Sequence, residues 1–148
     1  MKLLLLAGSR AAAASETRDA QDYLKRAAAA GRRLGLKDAA LIEIDERKAN
    51  WLEHLPKGGV LLALDERGDN LSSPELAALM RKHLDRAAPA LALAIGAADG
   101  LPAEVKAAAQ ATIAFGRATW PHMLMRVMAA EQIYRAVTIL NDHPYHRV

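Results

Sequence analysis

Residues 119–148 read TWPHMLMRVMAAEQIYRAVTILNDHPYHRV, and this stretch constrains the fold more than any other. Apolar residues recur at helical spacing through positions 121–140 and point to nearly every side of the predicted helix. A surface helix shows a single apolar stripe, so this helix is expected to be buried on more than one side. One side can face a sheet. A partner subunit is the simplest cover for the other, although a central helix in a compact monomer would show the same pattern.

A short polar tail follows this helix. Within five positions it carries two His, a Tyr and an Arg: His143, Tyr145, His146 and Arg147. Such side chains can stack on an unpaired RNA base, form hydrogen bonds and neutralise phosphate. The alternative interpretation is a solvated terminus without a function. Two His with no Cys and no carboxylate beyond Asp142 make a poor metal site, so we expect no metal.

Upstream of the last helix, short apolar runs alternate with helix-like segments. Runs of strand length occupy residues 2–7, 39–44, 59–65, 90–95 and, more weakly, 112–115. Helix-like segments occupy residues 16–34, 46–55, 74–87, 102–110 and 121–140. This alternation is typical of an α/β fold whose mainly parallel sheet carries helices on both faces. The 148 residues fit one domain, spanning residues 1–148.

Composition excludes several classes of protein. The chain has no cysteine, so it has neither disulfides nor a thiolate site, which is compatible with a cytoplasmic protein. The apolar start at residues 2–7 is shorter than the ~7–15 residues of a secretory signal core and is better interpreted as a first strand. No apolar stretch approaches the ~20 residues that cross a bilayer. The net charge of +3 is a mild indication of a polyanionic partner.

A glycine-containing segment follows the strand-like run at 90–95. Gly96 comes directly after this run, and Gly100 stands four positions later. Glycines at the carboxyl end of a parallel strand let a ligand approach the backbone closely, although a plain strand-to-helix turn would use the same residues. The chain has neither Gly-x-Gly-x-x-Gly nor Gly-x-x-x-x-Gly-Lys, so the common dinucleotide and nucleoside triphosphate loops are not supported.

Two arginines interrupt the apolar final helix. Glu131 precedes Arg135 by four positions, so a local ion pair is expected there. Arg126 has no acid four positions away on either side. An arginine in that setting is a candidate contact for an RNA phosphate or for a partner.

Five segments together carry a family resemblance. They are LDERG at 64–68 with LSS at 71–73, IGAADGL at 95–101, and TWPHMLMRVMAAEQIYRA at 119–136 with NDHPYHR at 141–147. In this order and with similar spacing they resemble the ribosomal RNA large-subunit methyltransferase H family. That family belongs to the SPOUT class of knotted, S-adenosylmethionine-dependent RNA methyltransferases. The N-terminal third of the chain matches more loosely.

The resemblance implies a C-terminal trefoil knot, a homodimer, and methyl transfer from S-adenosylmethionine to N3 of a pseudouridine in 23S ribosomal RNA of the assembled ribosome. It assigns the cofactor site, held mainly by backbone groups and apolar side chains, to Leu64, Gly96, Phe115, Gly116, Arg117, Ala118, Thr119 and Trp120. It assigns catalysis to His143, Tyr145 and His146, without saying which of them, if any, is the base. We expect RNA contacts at Arg126, Arg135 and Arg147. The resemblance also places Arg67 near the substrate-facing edge. From the residues alone, Glu66 and Arg67 are expected to belong to a solvated turn.

The chain departs from the family in places. Ala97 replaces a second loop glycine, and it would strain the loop and weaken cofactor binding if that position needs positive φ. Residues 115–117 replace a small, Ser-containing stretch, and for Trp120 core packing is expected ahead of adenine stacking. Two alternatives therefore stay open. One is a SPOUT-type methyltransferase acting on transfer RNA, and the other is a non-catalytic ribosome-binding protein.

Overall fold

The computed structural model describes residues 1–9, 13–48 and 50–147, so residues 10–12, Ala49 and Val148 lie outside the described residues. Its five strands are β1 (Lys2–Gly8), β2 (Asp38–Ile44), β3 (Val60–Asn70), β4 (Ala90–Ile95) and β5 (Ala111–Ala114). They form one sheet in the order β2-β1-β4-β3-β5. Each neighbouring pair is parallel, so the predicted α/β fold with a mainly parallel sheet is confirmed.

The helices are α1 (Ser15–Ala30), α2 (Ser73–Asp85), α3 (Ala103–Ala108) and α4 (His122–Leu140). One predicted helix, at residues 46–55, is wrong, because this segment forms two short 3-10 turns, Glu46–Lys48 and Trp51–His54. The side chain of Asp45 accepts a hydrogen bond from the backbone N–H of Arg47 at 3.1 Å. Such a local side-chain bond competes with helix propagation.

Side chains of the central strands alternate between two apolar layers. One layer packs beneath α1, α2 and α4 and includes Leu3, Leu5, Leu62, Leu91 and Leu93. The other packs beneath the Trp51 turn and α3 and includes Leu4, Leu6, Leu61, Ala92 and Ala94. Helical elements therefore cover both faces, as expected for a parallel sheet. The trefoil knot implied by the resemblance stays a prediction.

β3 is longer than the sequence predicts, and its extra length shapes the edge of the sheet. The strand continues to Asn70, and its pairing with β5 shifts register between Leu64 and Asp69. Residues 65–68 therefore bulge out of the β5 ladder at the carboxyl end of the sheet. Glu66 and Arg67 are exposed as expected, but they belong to this irregular strand and not to a turn.

Arg126 of α4 is buried, with 0% of its surface exposed. Its guanidinium donates hydrogen bonds to the carbonyl oxygens of Gly8 at 2.9 Å and Ser9 at 2.8 Å. It also donates to Glu43 at 2.8 Å and to Thr17 at 3.1 Å. The assignment of Arg126 to an RNA phosphate is therefore wrong. The side chain is out of reach of solvent, and its donors join α4 to the ends of β1 and β2 and to the start of α1.

No helix in the described ranges combines the length and the apolar character needed to span a lipid bilayer.

Candidate active site

A cleft of about 520 Å³ opens where β3, β4 and β5 end. Its walls are formed by residues 64–67, 95–101, 114–116 and 118–120, together with Lys106, His122 and Met125. Because the three strands are parallel neighbours, their carboxyl ends meet at one edge of the sheet. That edge is where open α/β sheets bind ligands.

The cleft brings together most of the residues assigned to the cofactor. Seven of the eight line it: Leu64, Gly96, Phe115, Gly116, Ala118, Thr119 and Trp120. Arg117 is exposed and is not part of the lining. Three segments far apart in the sequence thus converge on one concave surface, and their contacts with a ligand stay a prediction.

Gly96 is required by the loop that follows β4. A Cβ atom at this position would lie 2.2 Å from the carbonyl carbon of Gly100 and 2.6 Å from the amide nitrogen of Leu101. Residues 96–101 therefore fold back directly over Gly96, and the turn is closed by the N–H of Gly100 bonded to the carbonyl of Ala97 at 2.9 Å. A side chain at Gly96 would collide with this loop whether or not a ligand is bound.

The departure at Ala97 carries no backbone strain. Positive φ in this loop belongs to Gly100, at 80°, and Ala97 is not among the residues with positive φ. The backbone N–H of Ala97 donates to the carboxylate of Glu46 at 3.2 Å. Because Ala97 does not have a positive φ, it is not expected to weaken cofactor binding through backbone strain.

The loop between β5 and α4 is held by polar contacts of its own. Gly116 has a φ of 91°, and its N–H donates to the side chain of Asn70 at 3.2 Å. The indole N–H of Trp120 donates to the carbonyl of Phe115 at 3.3 Å. Trp120 is 41% exposed, so the expectation that it packs in the core is wrong. Its ring stands at the cleft instead.

Charged side chains that sequence reasoning did not assign to the site also line the cleft. Asp65 forms a salt bridge with Lys106 at 3.0 Å and accepts a hydrogen bond from the backbone N–H of Arg67 at 3.0 Å. The bond from that N–H, followed by the one from Lys106, lowers the pKa of Asp65 below its usual value. The hydroxyl of Thr119 donates to the carboxylate of Glu66 at 2.5 Å and joins β3 to the loop before α4. Lys106 gives no sequence signal, because only the fold brings α3 next to β3.

The C-terminal tail does not line the cleft of its own chain. His122 and Met125 at the start of α4 are part of the lining, and the described tail residues 141–147 are not. The N–H of His143 donates to the carbonyl of Thr138 at 2.9 Å, and the phenol of Tyr145 donates to Glu131 at 2.9 Å. These bonds turn the tail back onto α4. The candidate catalytic residues are thus adjacent to each other and lie outside the lining to which the cofactor residues belong.

An aromatic and cationic cluster surrounds Tyr145. Its ring packs edge-on against Tyr134, with the ring centroids 4.7 Å apart. Arg26 lies over the ring of Tyr134 at 4.3 Å, and Arg135 lies over the ring of Tyr145 at 4.8 Å. Burial, followed by the hydrogen bond to Glu131, raises the pKa of Tyr145 to about 12. The phenol is therefore a hydrogen-bond donor near neutral pH, which disfavours it as a general base.

Arg135 of α4 and Arg147 of the tail differ in their contacts. Arg135 forms the predicted ion pair with Glu131 at 2.5 Å and also donates to the Nδ1 atom of His146 at 3.3 Å. Arg147 is exposed.

Over the described part of the chain, no three metal-ligating side chains come together.

Comparison with known proteins agrees with this arrangement. Residues 1–146 match the family model described as "Predicted SPOUT methyltransferase". A protein of Methylocella silvestris named "Ribosomal RNA large subunit methyltransferase H" is 48% identical over 159 aligned residues, covering 99% of each chain. Proteins of the same name from Cereibacter sphaeroides and Ruegeria pomeroyi are 46% and 45% identical, covering 100% of each chain.

Solved structures share the fold at low sequence identity. A methylase family protein from Haemophilus influenzae Rd KW20 has a TM-score of 0.53 at 10% identity, covering 99% of this chain and 70% of the other. One from Neisseria gonorrhoeae also has a TM-score of 0.53, at 13% identity, covering 99% and 85%. These likenesses concern the fold alone. The parallel sheet, the cleft at its carboxyl edge and the match of the family model over residues 1–146 show that this chain belongs to the SPOUT methyltransferase family.

Proposed function

We propose that this protein transfers a methyl group from S-adenosylmethionine to N3 of a pseudouridine in large-subunit ribosomal RNA, on the assembled ribosome in the cytoplasm. The observation that carries the proposal is the 48% identity, over 99% of both chains, to a protein named as a ribosomal RNA large-subunit methyltransferase. The transfer RNA alternative has no comparable support. The non-catalytic alternative loses its premise, because Ala97 does not strain the loop.

The cleft suits S-adenosylmethionine in size and in chemistry. Its volume of about 520 Å³ lies within the range of roughly 300–1,000 Å³ that is usual for small-molecule sites. Leu64, Ile95 and Met125 offer apolar surface for an adenine ring, and the charged side chains of β3 and α3 suit the amino-acid end. When bound, S-adenosylmethionine supplies a methyl group already activated on a sulfonium. The chain then has to hold the donor, exclude water and orient the acceptor.

We infer a homodimer in which the first half of α4 is covered by a second copy. Leu124 and Trp120 are 42% and 41% exposed at this end of the helix. Met123, Val127 and Met128 beside them are only partly buried. A contiguous apolar patch of this kind marks an interaction site. The apolar pattern along α4 predicts that the helix is buried on a second side, and in a single chain that side is exposed at the start of the helix.

A second copy also supplies what one chain lacks. Tyr145 holds the tail against its own α4 through Glu131, and the described tail residues do not line the cleft of the same chain. His146 and Arg147 therefore act, in this proposal, on RNA bound at the cleft of the other subunit. The composite site is supported by this separation within one chain and by the exposed start of α4.

The proposed division of labour follows from the side chains. N3 of the pseudouridine is an imide nitrogen and must lose a proton to attack the methyl carbon. His143 and His146 are the candidate acceptors of that proton, since Tyr145 is committed as a donor to Glu131. Arg147, which is exposed, and Arg135, which is partly exposed, are the candidate phosphate contacts.

Mapping of methylated nucleosides tests this function. A strain lacking the gene should lose one methylated pseudouridine from large-subunit ribosomal RNA and nothing from transfer RNA. The wild-type gene should restore the modification, and a gene encoding a protein without residues 143–148 should not. Loss of a transfer RNA modification would support the first alternative. Unchanged nucleosides in both RNAs would support the non-catalytic one.

A further inference from the structure

The cleft contains one carboxylate held at its wall by an uncharged group. Glu66 lies where β3 bulges away from β5, and its Oε2 atom accepts a 2.5 Å hydrogen bond from the hydroxyl of Thr119. Both residues line the cleft, and they come from different walls of it. The contact therefore holds the carboxylate at the cleft instead of leaving it free in solvent.

The neighbouring carboxylate is compensated and Glu66 is not. Asp65 has Lys106 at 3.0 Å, so their charges offset each other. Thr119 gives Glu66 a hydrogen bond but no positive charge. Within the described ranges, the salt bridges at the cleft do not include Glu66. Arg67 also lines the cleft, but among the described residues it forms no salt bridge with Glu66, so a cationic ligand can complement this carboxylate.

We propose that Glu66 recognises the positive charge of the sulfonium of S-adenosylmethionine, whereas the Asp65–Lys106 pair faces the amino-acid end, and that Glu66 thereby discriminates the methyl donor from S-adenosylhomocysteine. This inference rests on the proposed function, because it takes S-adenosylmethionine as the ligand. In methyl transfer the N3–methyl bond forms as the methyl–sulfur bond breaks, the bonding pair stays on sulfur, and the N3 proton goes to a base. The donor is a sulfonium cation and the product is a neutral thioether. Donor and product thus differ by one methyl group and one unit of positive charge.

A carboxylate near the sulfur attracts the donor and has little effect on the product. The α-ammonium and α-carboxylate are common to both molecules, so an interaction with them alters both affinities alike. The ratio of the affinity for S-adenosylmethionine to the affinity for S-adenosylhomocysteine therefore reports the interaction of Glu66 with the sulfonium charge. Because Glu66 is exposed and partly screened by solvent, we expect its charge to contribute about fivefold to this ratio. Release of the product after each turnover follows from the same loss of attraction.

Calorimetric titration of the full-length protein tests the inference. Glu66→Gln keeps the size of the side chain and an acceptor for Thr119 while removing the charge. We expect it to weaken binding of S-adenosylmethionine about fivefold and binding of S-adenosylhomocysteine less than about twofold. Sinefungin, which carries an ammonium group in place of the sulfonium, should lose affinity as the donor does. Glu104→Gln removes the same charge from α3 outside the cleft lining and should leave the ratio unchanged.

A second variant tests the placement of the carboxylate. Thr119→Val removes the hydroxyl at nearly constant shape, so the ratio should fall toward that of Glu66→Gln. A ratio of affinities that stays at the wild-type value in both variants would overturn the inference. Equal weakening of donor, product and sinefungin in Glu66→Gln would overturn it as well. Wild-type protein that binds no S-adenosylmethionine at all would instead refute the proposed function.

Discussion

The phenol of Tyr145 donates a 2.9 Å hydrogen bond to Glu131, fourteen residues earlier in the chain. This bond, together with the packing of Tyr145 against Tyr134, fixes the tail on the middle turns of α4. The C-terminus is therefore an ordered extension that holds His146 and Arg147 at one place. Its position relative to the cleft is set by this anchor at Glu131.

The Tyr145 anchor should depend on pH only in the alkaline range. Its pKa is raised from 10.0 to about 12, so its contribution to stability is complete below about pH 10 and is lost as the pH rises through about 12. Tyrosinate absorbance should show one phenol that titrates late, and Tyr145→Phe should remove it. If wild type and Tyr145→Phe differ by a phenol that titrates near pH 10, the anchor does not exist in solution.

Deletion of residues 143–148 should abolish methyl transfer to ribosomes while leaving dimerisation and most cofactor affinity intact. The reason is that the tail packs on α4 and does not line the cleft of its own chain. His146→Ala should lower turnover, whereas Arg147→Ala should weaken ribosome binding in a salt-dependent way. Wild-type turnover by the truncated protein would make the tail a passive terminus.

A mixing experiment separates a composite site from a self-contained one. The first subunit lacks residues 143–148 but has an intact cleft, and the second carries Gly96→Val but has an intact tail. Each homodimer should be inactive. Hybrid dimers should recover methyl transfer, because one cleft then meets one tail across the interface. Mixtures that stay inactive, with hybrid formation verified, would show that each chain works alone.

The wild-type protein should sediment at about twice its 16.0 kDa chain mass. Leu124→Glu should shift it toward the monomer, since a carboxylate would enter the apolar patch at the start of α4. Leu52→Glu is the matched control, because Leu52 is 41% exposed on the opposite side of the sheet and Leu124 is 42% exposed. A wild-type monomer at micromolar concentration, or an equal effect of both substitutions, would contradict the proposed interface.

Gly96→Val should weaken binding of S-adenosylmethionine at least about tenfold, or about 1.4 kcal/mol. The branched side chain would collide with the backbone of Gly100 and displace the cofactor loop. Ala97→Gly is the control and should change the affinity less than about twofold, since Ala97 does not occupy a left-handed conformation. Calorimetry showing unchanged affinity in a folded Gly96→Val variant would remove this loop from the site.

Arg126→Met should destabilise the protein by about 3 kcal/mol, because it leaves the carbonyl groups of Gly8 and Ser9 without their buried donor. Urea unfolding followed by circular dichroism gives the change in free energy. Arg147→Met, at an exposed position, should change it by less than about 0.5 kcal/mol. A loss below 1 kcal/mol for Arg126→Met would mean that these hydrogen bonds contribute little to the fold.

Periodicity predicted the sheet, and seven of the eight residues that the resemblance assigns to the cofactor line the cleft. They meet because parallel strands bring the ends of β4 and β5 and the bulge of β3 to one edge, and their contacts with the cofactor stay a prediction. The pairing of Asp65 with Lys106 was missed because helix α3 lies next to β3 only in the folded chain. The Thr119 bond to Glu66 was missed for the same reason.

Arg126 shows a different limit. Ala129 and Ala130, three and four positions later and thus on the same face of the helix, were a signal that Arg126 stands on a buried part of α4. Its main partners, however, are backbone carbonyl oxygens at the end of β1. Every residue has a backbone carbonyl, so the sequence does not indicate which of them a side chain will contact. At residues 46–55, helix-like spacing misled because a local turn at Asp45 competes with the helix.

The position of β1 in the sheet has a consequence for how the chain folds. Lys2 stands opposite Asp38 on one side and Ala90 on the other, so both neighbours of the first strand are made later during synthesis. Pairings between distant segments close slowly, because the loop entropy is lost before the contacts form. Until β4 emerges from the ribosome, the leucine-rich strand at 3–6 has an open edge, which is a known hazard for aggregation. Nascent chains are therefore expected to need protection by a chaperone until more than half of the sequence has been translated.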